Sequence, residues 1–232
     1  MKKWMALMTM AFVGQSVLAA DLDVTVENLT RGVYFTPLLV AAHPGNTALF
    51  ELGAVASSEL QRMAEGGDIA GLESMMTGVG ATQSNNPAAG LLAPGASTTT
   101  QLNTDGASAN THLSVVAMML PTNDGFIAAN GIEVPTEPGT YTFMLNAYDA
   151  GTEANDEIRG SGAPGEAGFP VPPPLDPMLG SNGAGLSSDA EGFVHIHRGV
   201  LGDTDASGGP SDIDSTLHRW LNPVAKLTIV VN

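Results

Sequence analysis

His-Leu-Ser-Val-Val-Ala-Met-Met-Leu, residues 112–120, is the stretch whose reading decides the fold. Only its first and third residues are polar. A run this short and this apolar predicts a central β-strand covered on both faces. The segments around it alternate instead. In residues 21–28, Leu22, Val24 and Val26 oppose Asp23, Thr25 and Glu27, which predicts a strand with one wet face. Residues 139–148 alternate in the same way, and residues 224–231 (VAKLTIVV) read as a closing strand. Further strands are expected in residues 32–42, where Pro37 marks an edge or bulge, and in 47–52, 97–102 and 192–198. Two short helices are expected. One covers residues 54–64, with Ser57 and Ser58 near its start and Gly66-Gly67 as its stop; the other covers 69–76 behind Asp68. Short strands separated by turn signals predict an all-β fold with one or two short helices, arranged as an antiparallel β-sandwich.

The first twenty residues have the three parts of an export signal. Lys2 and Lys3 are positive, residues 4–13 are apolar apart from Thr9, and Val17-Leu18-Ala19-Ala20 offers small residues for cleavage. The apolar run falls short of the ~20 residues that span a bilayer. The expected organisation is therefore a signal peptide over residues 1–20, followed by one domain over 21–232. Residues 160–188, rich in Gly, Pro, Ala and Ser, form a long loop within that domain. The expected destination is the periplasm or the cell exterior. Removal of the signal lowers eight basic residues to six, and six against 24 acidic residues gives a formal charge of −18. Such a field repels nucleic acid and anionic lipid, and no later segment is apolar enough to span a membrane, so neither nucleic-acid binding nor membrane insertion is expected. The chain has no cysteine, which excludes thiol catalysis, disulfides and cysteine-bound metals.

Three constellations are candidates for chemistry. The first is Tyr148-Asp149-Ala150-Gly151-Thr152-Glu153. Two carboxylates flank a glycine at the end of a strand, where a sharp turn can aim several oxygens at one point, as calcium requires. The loop Pro121-Thr122-Asn123-Asp124-Gly125 ends the central strand. If the two strands share one end of the fold, Asp124 joins Asp149 and Glu153. A cation site and ordinary turn carboxylates are both compatible with this spacing. The second constellation is Asp203-Thr204-Asp205-Ala206-Ser207-Gly208 with Asp214 eleven residues after Asp203, a spacing similar to calcium loops of the EF-hand type. Asp203, Asp205, Ser207 and Asp214 are its candidate ligands, against a plain acidic loop. The third is His195-Ile196-His197. Residues two apart on a strand face the same way, so the histidines either chelate zinc or copper or are simple polar strand residues. No serine lies in a Gly-x-Ser-x-Gly elbow. With two Trp and three Tyr, the chain is poorly stocked for a sugar cleft. No catalytic residues are expected.

Three blocks in order resemble the spondin N-terminal domain family, known from extracellular-matrix proteins such as F-spondin and mindin. The first runs from Thr36-Pro37 to Ala42-His43, then Leu52-Gly53, Ala56-Ser57 and residues 60–72 (LQRMAEGGDIAGL). The second is residues 120–126 (LPTNDGF). The third and most specific is Tyr148 to Glu153, where the family has Tyr-Asp-Ala-Gly-Thr-Asp. The resemblance implies a β-sandwich similar to C2 domains, with Ca2+ held at one end by Asp124, Asp149 and Glu153. It also implies a non-enzymatic role in adhesion or matrix association, with an extracellular protein or glycan as partner. The chain departs from the pattern at Glu153, which replaces an aspartate, and at Gly125, which replaces a tryptophan. The segment from 160 to 214 has no counterpart in the animal proteins. The alternative function is a metal-dependent enzyme using His195 and His197.

Overall fold

Residues 21–232 are described in the computed structural model, so the expected signal peptide lies outside the described residues. The strands are β1 (Asp21–Asn28), β2 (Tyr34–Phe35), β3 (Leu39–His43), β4 (Thr82–Asn85), β5 (Ser97–Asn103), β6 (His112–Leu120), β7 (Gly125–Glu133), β8 (Gly139–Asp149), β9 (Arg159–Gly160), β10 (Phe169–Pro170), β11 (His195–Ile196) and β12 (Ala225–Val231). Two helices, α1 (Ser58–Gly66) and α2 (Ala70–Gly78), separate β3 from β4.

The main sheet runs β4-β3-β6-β7-β8-β12-β1-β5, and every neighbouring pair along this path is antiparallel. Strand β8 is its joint. Residues 139–145 pair with β12, while residues 146–149 have left β12 and pair with β7. The sheet therefore folds over on itself, and its two ends meet where Thr100 Oγ1 donates to Ser84 Oγ at 2.7 Å. The all-β, antiparallel class with two short helices is as expected. Ten of the twelve strands belong to one sheet, nearly closed like a barrel, so the sandwich-like form comes from a single sheet folded over; β9 and β10 pair in parallel as a separate two-stranded sheet.

The central strand occupies its expected place. Leu113, Val115, Ala117 and Met119 of β6 face the interior with Leu22, Val24 and Val26 of β1 and Leu227 and Ile229 of β12. Its other face, through Val116, Met118 and Leu120, packs beneath Leu60 and Met63 of α1 and Leu72 and Met76 of α2. Each such fully buried side chain contributes about 1.5–3 kcal/mol. Ser57 Oγ caps α1 by accepting the Leu60 N–H at 3.1 Å, and Asp68 Oδ1 accepts the first N–H of α2, that of Ala70, at 3.0 Å.

Two local expectations fail for physical reasons. Residues 47–52 form no strand. The Asn130 side chain acts as their partner instead, accepting from Leu49 N at 2.9 Å and donating to Phe50 O at 2.8 Å. Strand β7 is not anticipated, because its Ala128-Ala129-Asn130-Gly131 centre shows neither alternation nor β-branched residues. The expected strand 32–42 breaks at Pro37 into β2 and β3. The Gly/Pro-rich segment after β8 is largely irregular, yet it packs a small core of its own from Phe169, Val200 and Ile213.

Candidate metal centre

The register of β7 against β8 sets Gly125 opposite Asp149. The loops after β6 and β8 consequently emerge at one end, which was the condition for Asp124 to join Asp149 and Glu153. Phe126 and Tyr148 stack across this pair with centroids 5.6 Å apart, and Phe50 lies edge-on to Phe126 at 5.2 Å. Asp124 is fully buried. Its main-chain carbonyl accepts the Ala150 N–H at 3.1 Å, and its Oδ2 accepts the N–H groups of Thr152 at 2.7 Å and Glu153 at 3.1 Å. Asp149 Oδ1 accepts the Gly151 N–H at 2.8 Å, and Oδ2 accepts Asn155 Nδ2 at 2.8 Å. Glu153 Oε1 accepts Asn123 Nδ2 at 2.7 Å and the Gly168 N–H at 2.5 Å.

These hydrogen bonds leave specific atoms bare. Among the described residues six buried side-chain atoms have no hydrogen-bond partner, and three are here: Asp124 Oδ1, Glu153 Oε2 and His197 Nε2. An unpaired carboxylate oxygen away from water is costly in its ionised form. Burial, reinforced by the charge of Asp149, accordingly pushes Asp124 up to about 8. Burial also pushes Glu153 up to about 7, with Glu65 and Asp156 adding to it against the hydrogen bonds from Asn123 and Gly168. Two bare, hard oxygens beside a third carboxylate fit a cation that takes oxygen ligands, such as calcium.

His197 lies over Gly125, where a Cβ would meet its Cδ2 at 3.0 Å, and packs against Trp220 with ring centroids 5.1 Å apart. Gly125, where the resemblance implies a tryptophan, is thus covered by a histidine from elsewhere in the chain. His197 Nδ1 accepts the Gly199 N–H at 3.0 Å, and Nε2 lies 3.9 Å from Asp149 Oδ2. Burial holds its pKa down at about 4, against the pull of Asp149. His195 and His197 both approach Asp149, but through different oxygens. Among the described residues, one group of three has potential ligand atoms all within 4.8 Å of one another: Asp149, Glu191 and His195. Asp124 and Glu153 lie at the same end without completing a group that tight.

The acidic loop is arranged differently. Asp203 Oδ1 accepts from Asp205 N at 2.7 Å and its Oδ2 from Ser211 N at 2.9 Å; Asp205 Oδ1 accepts from Ser207 N at 3.0 Å; Asp214 Oδ1 accepts from Thr216 N at 2.7 Å. Asp203 and Asp214 are joined by a parallel bridge. Their carboxylates hold turns of the loop itself.

Four participants escape a sequence reading. Glu65, on α1, is fully buried and accepts Gly165 N at 2.6 Å, 100 residues away. Asn123 and Asn155 are neutral neighbours of the carboxylates they orient. Glu191 stands four residues before His195, a spacing that means nothing outside a helix. The dense run from Thr152 to Glu157 was the one available signal for Asn155.

No curated protein matches the chain. The model of the Spondin_N family matches residues 27–161, which include α1, α2, Asp124, Asp149 and Glu153 and exclude Glu191, both histidines and the acidic loop. With more than half of its length matched, three sequence blocks in order and the loops of the second and third blocks brought together, the chain belongs to the spondin N-terminal domain family.

Proposed function

We propose that the protein is an exported calcium-binding domain, non-enzymatic, that serves adhesion or matrix association in the periplasm or outside the cell. The observation that carries this reading is Asp124 Oδ1, fully buried and without a donor beside Asp149 and Glu153. Asp124, Asp149 and Glu153 would hold the ion, with Asn123 steering Glu153. When bound, calcium supplies the positive charge that lets these buried carboxylates stay ionised, and so ties the ends of β7 and β8 together. Family membership supports an extracellular setting. The acidic composition favours a protein or glycan partner over nucleic acid. Among the described residues no helix is long and apolar enough to cross a membrane.

The test is thermal unfolding of the chelator-treated protein as calcium is added. A ligand at 100 times its Kd stabilises by about 2.7 kcal/mol, which in a domain of this size raises Tm by about 5–10 °C. Asp124→Asn and Asp149→Ala should each abolish the rise. An unchanged Tm in millimolar calcium would sink the proposal. The alternative, an enzyme in which His195 and His197 chelate one metal, has less support. His197 Nδ1 accepts a backbone N–H, so its own proton sits on Nε2 and that nitrogen has no lone pair to offer.

A further inference from the structure

The calcium reading leaves His195 and Glu191 unused, and both face Asp149. His195 Nε2 lies 3.7 Å from Asp149 Oδ1 and 4.0 Å from Glu191 Oε1. Both distances are too long for hydrogen bonds. Two ligands of one transition-metal ion, each about 2.0–2.2 Å from it, lie about 3–4 Å apart. The spacing thus suits an ion between the groups better than direct contact.

Each of the three side chains is also held by a partner of its own. His195 Nδ1 donates to Ile196 O at 3.1 Å, which leaves the Nε2 lone pair facing the two carboxylates. Gly151 N–H donates to Asp149 Oδ1. Asn155 Nδ2 donates both to Asp149 Oδ2 at 2.8 Å and to Glu191 Oε1 at 3.2 Å, clipping two like charges side by side. Outer partners of this kind fix ligand orientation in metal sites. His197 supports the same carboxylate at its other oxygen. It is 4 % exposed, its Nε2 has no partner, and it carries its proton towards Asp149 Oδ2 from 3.9 Å. It backs the carboxylate from the buried side while His195 and Glu191 approach it from the wet side. The side chains of His195 and Glu191 are 26 % and 33 % exposed, so solvent reaches the cluster and an ion has an entry path.

We propose that Asp149 Oδ1, Glu191 Oε1 and His195 Nε2 form a second metal site, taking a divalent first-row cation such as zinc. One imidazole and two carboxylates make a donor set of intermediate softness, suited to Zn2+ or Co2+ rather than Ca2+. The site is assembled across the boundary of the family match. Asp149 comes from the family's own loop, whereas Glu191 and His195 come from the segment beyond residue 161. Asp149 is the only ligand it shares with the proposed calcium site. The other ligands are separate, so the two proposals can fail independently.

The experiment is a Co2+ titration of the metal-stripped full chain, followed by visible absorption, with Zn2+ as competitor. The expected result is stoichiometric uptake with d–d bands, displaced by Zn2+. Glu191→Gln and His195→Ala should each weaken Co2+ binding at least tenfold, while the calcium-induced rise in Tm persists. Asp124→Asn should do the opposite, removing the calcium response and leaving Co2+ affinity within about twofold. Circular dichroism of each variant confirms its fold, and near-isosteric Glu191→Gln serves if His195→Ala disturbs β11. The proposal is overturned if the wild type shows no d–d bands, if Glu191→Gln and His195→Ala together leave Co2+ affinity unchanged, or if Asp124→Asn abolishes Co2+ and calcium binding alike.

Discussion

Two acidic loops of this protein have nearly the same composition and opposite economies of hydrogen bonding. In residues 203–214 the oxygens of Asp203, and one oxygen each of Asp205 and Asp214, accept backbone N–H groups of their own loop. At the ends of β7 and β8, Asp124 and Glu153 each have one oxygen satisfied and one buried and bare. Spacing offers the first loop a resemblance to calcium loops, since its oxygens alternate and a glycine stands sixth. Burial favours the second. A carboxylate that folds its own turn has spent its acceptor on the backbone, whereas one buried without a donor has charge left to neutralise. Negative charge in a sequence is thus a weak indicator of a cation site until its donors are counted.

The sharpest way to break the comparison is at the two glycines. Gly151 has φ of +66°, and a Cβ there would stand 2.3 Å from Phe193 O. The loop after β8 and the irregular segment leading to His195 approach each other through that missing side chain. Gly151→Ala should cost more than about 3 kcal/mol, combining left-handed strain with a backbone clash. Gly208, the sixth residue of the acidic loop, has no positive φ, and its nearest neighbour would be Asp205 Oδ2 at 3.4 Å, an ordinary contact. Gly208→Ala should shift stability by less than about 0.5 kcal/mol. Chemical denaturation of both variants measures the contrast, and equal effects would erase it.

A smaller effect separates the loops by ligand. The calcium-dependent gain of about 2.7 kcal/mol at 100-fold excess over Kd should vanish in Asp124→Asn and survive in Asp205→Asn, read by thermal unfolding with and without calcium. Survival in the first and loss in the second would move the site to the acidic loop.

What the sequence made legible follows from how each feature is encoded. The period-2 pattern of β1 and the apolar run of β6 are local, and both strands form where expected. The α1 cap is local too, because Ser57 stands three residues before the N–H it accepts. Strand β7 stayed hidden because only Phe126 and Ile127 of its core residues are large, and the Ala128 and Ala129 that follow are buried by β6 and β8 rather than by their own hydrophobicity. The gathering of Asp124, Asp149 and Glu153 at one end was legible from motif order, as strand ends fix loop positions. The approach of Glu191 and His195 to Asp149 was not, because it depends on a β11–β8 pairing of two residues at the end of a long irregular segment. His197 has its Nδ1 engaged in a way that alternation does not encode. Strand alternation predicts a shared side for the two rings but cannot reveal that Gly199 N–H occupies Nδ1.

The most discriminating prediction concerns pH without metal. Asp124 rises from 3.8 to about 8 on folding and Glu153 from 4.5 to about 7, in each case chiefly through burial. Groups raised on folding give stability that is complete below their unfolded values and is lost as pH climbs through the folded ones. The metal-free protein should therefore lose stability progressively from about pH 4 to about pH 8, and the part of that loss above pH 6, clear of ordinary carboxylate titration, reads these two groups. In saturating calcium this slope should flatten or reverse, because the ionised carboxylates are then the bound form and calcium affinity itself grows over the same interval. Asp214 has the opposite sign: hydrogen bonds from the Thr216 side chain and backbone hold its pKa below 3.8, so its stabilisation is present at neutral pH and is lost only in acid. Asp214→Asn should thus change the acid limb by less than about 1 kcal/mol and leave the slope between pH 6 and 9 intact, whereas Asp124→Asn should flatten that slope without calcium. Denaturant midpoints across the pH range, with and without chelator, check both. A metal-free protein equally stable at pH 6 and pH 9 would mean that water or another donor already satisfies Asp124 Oδ1, and the contrast between the loops would then rest on burial alone.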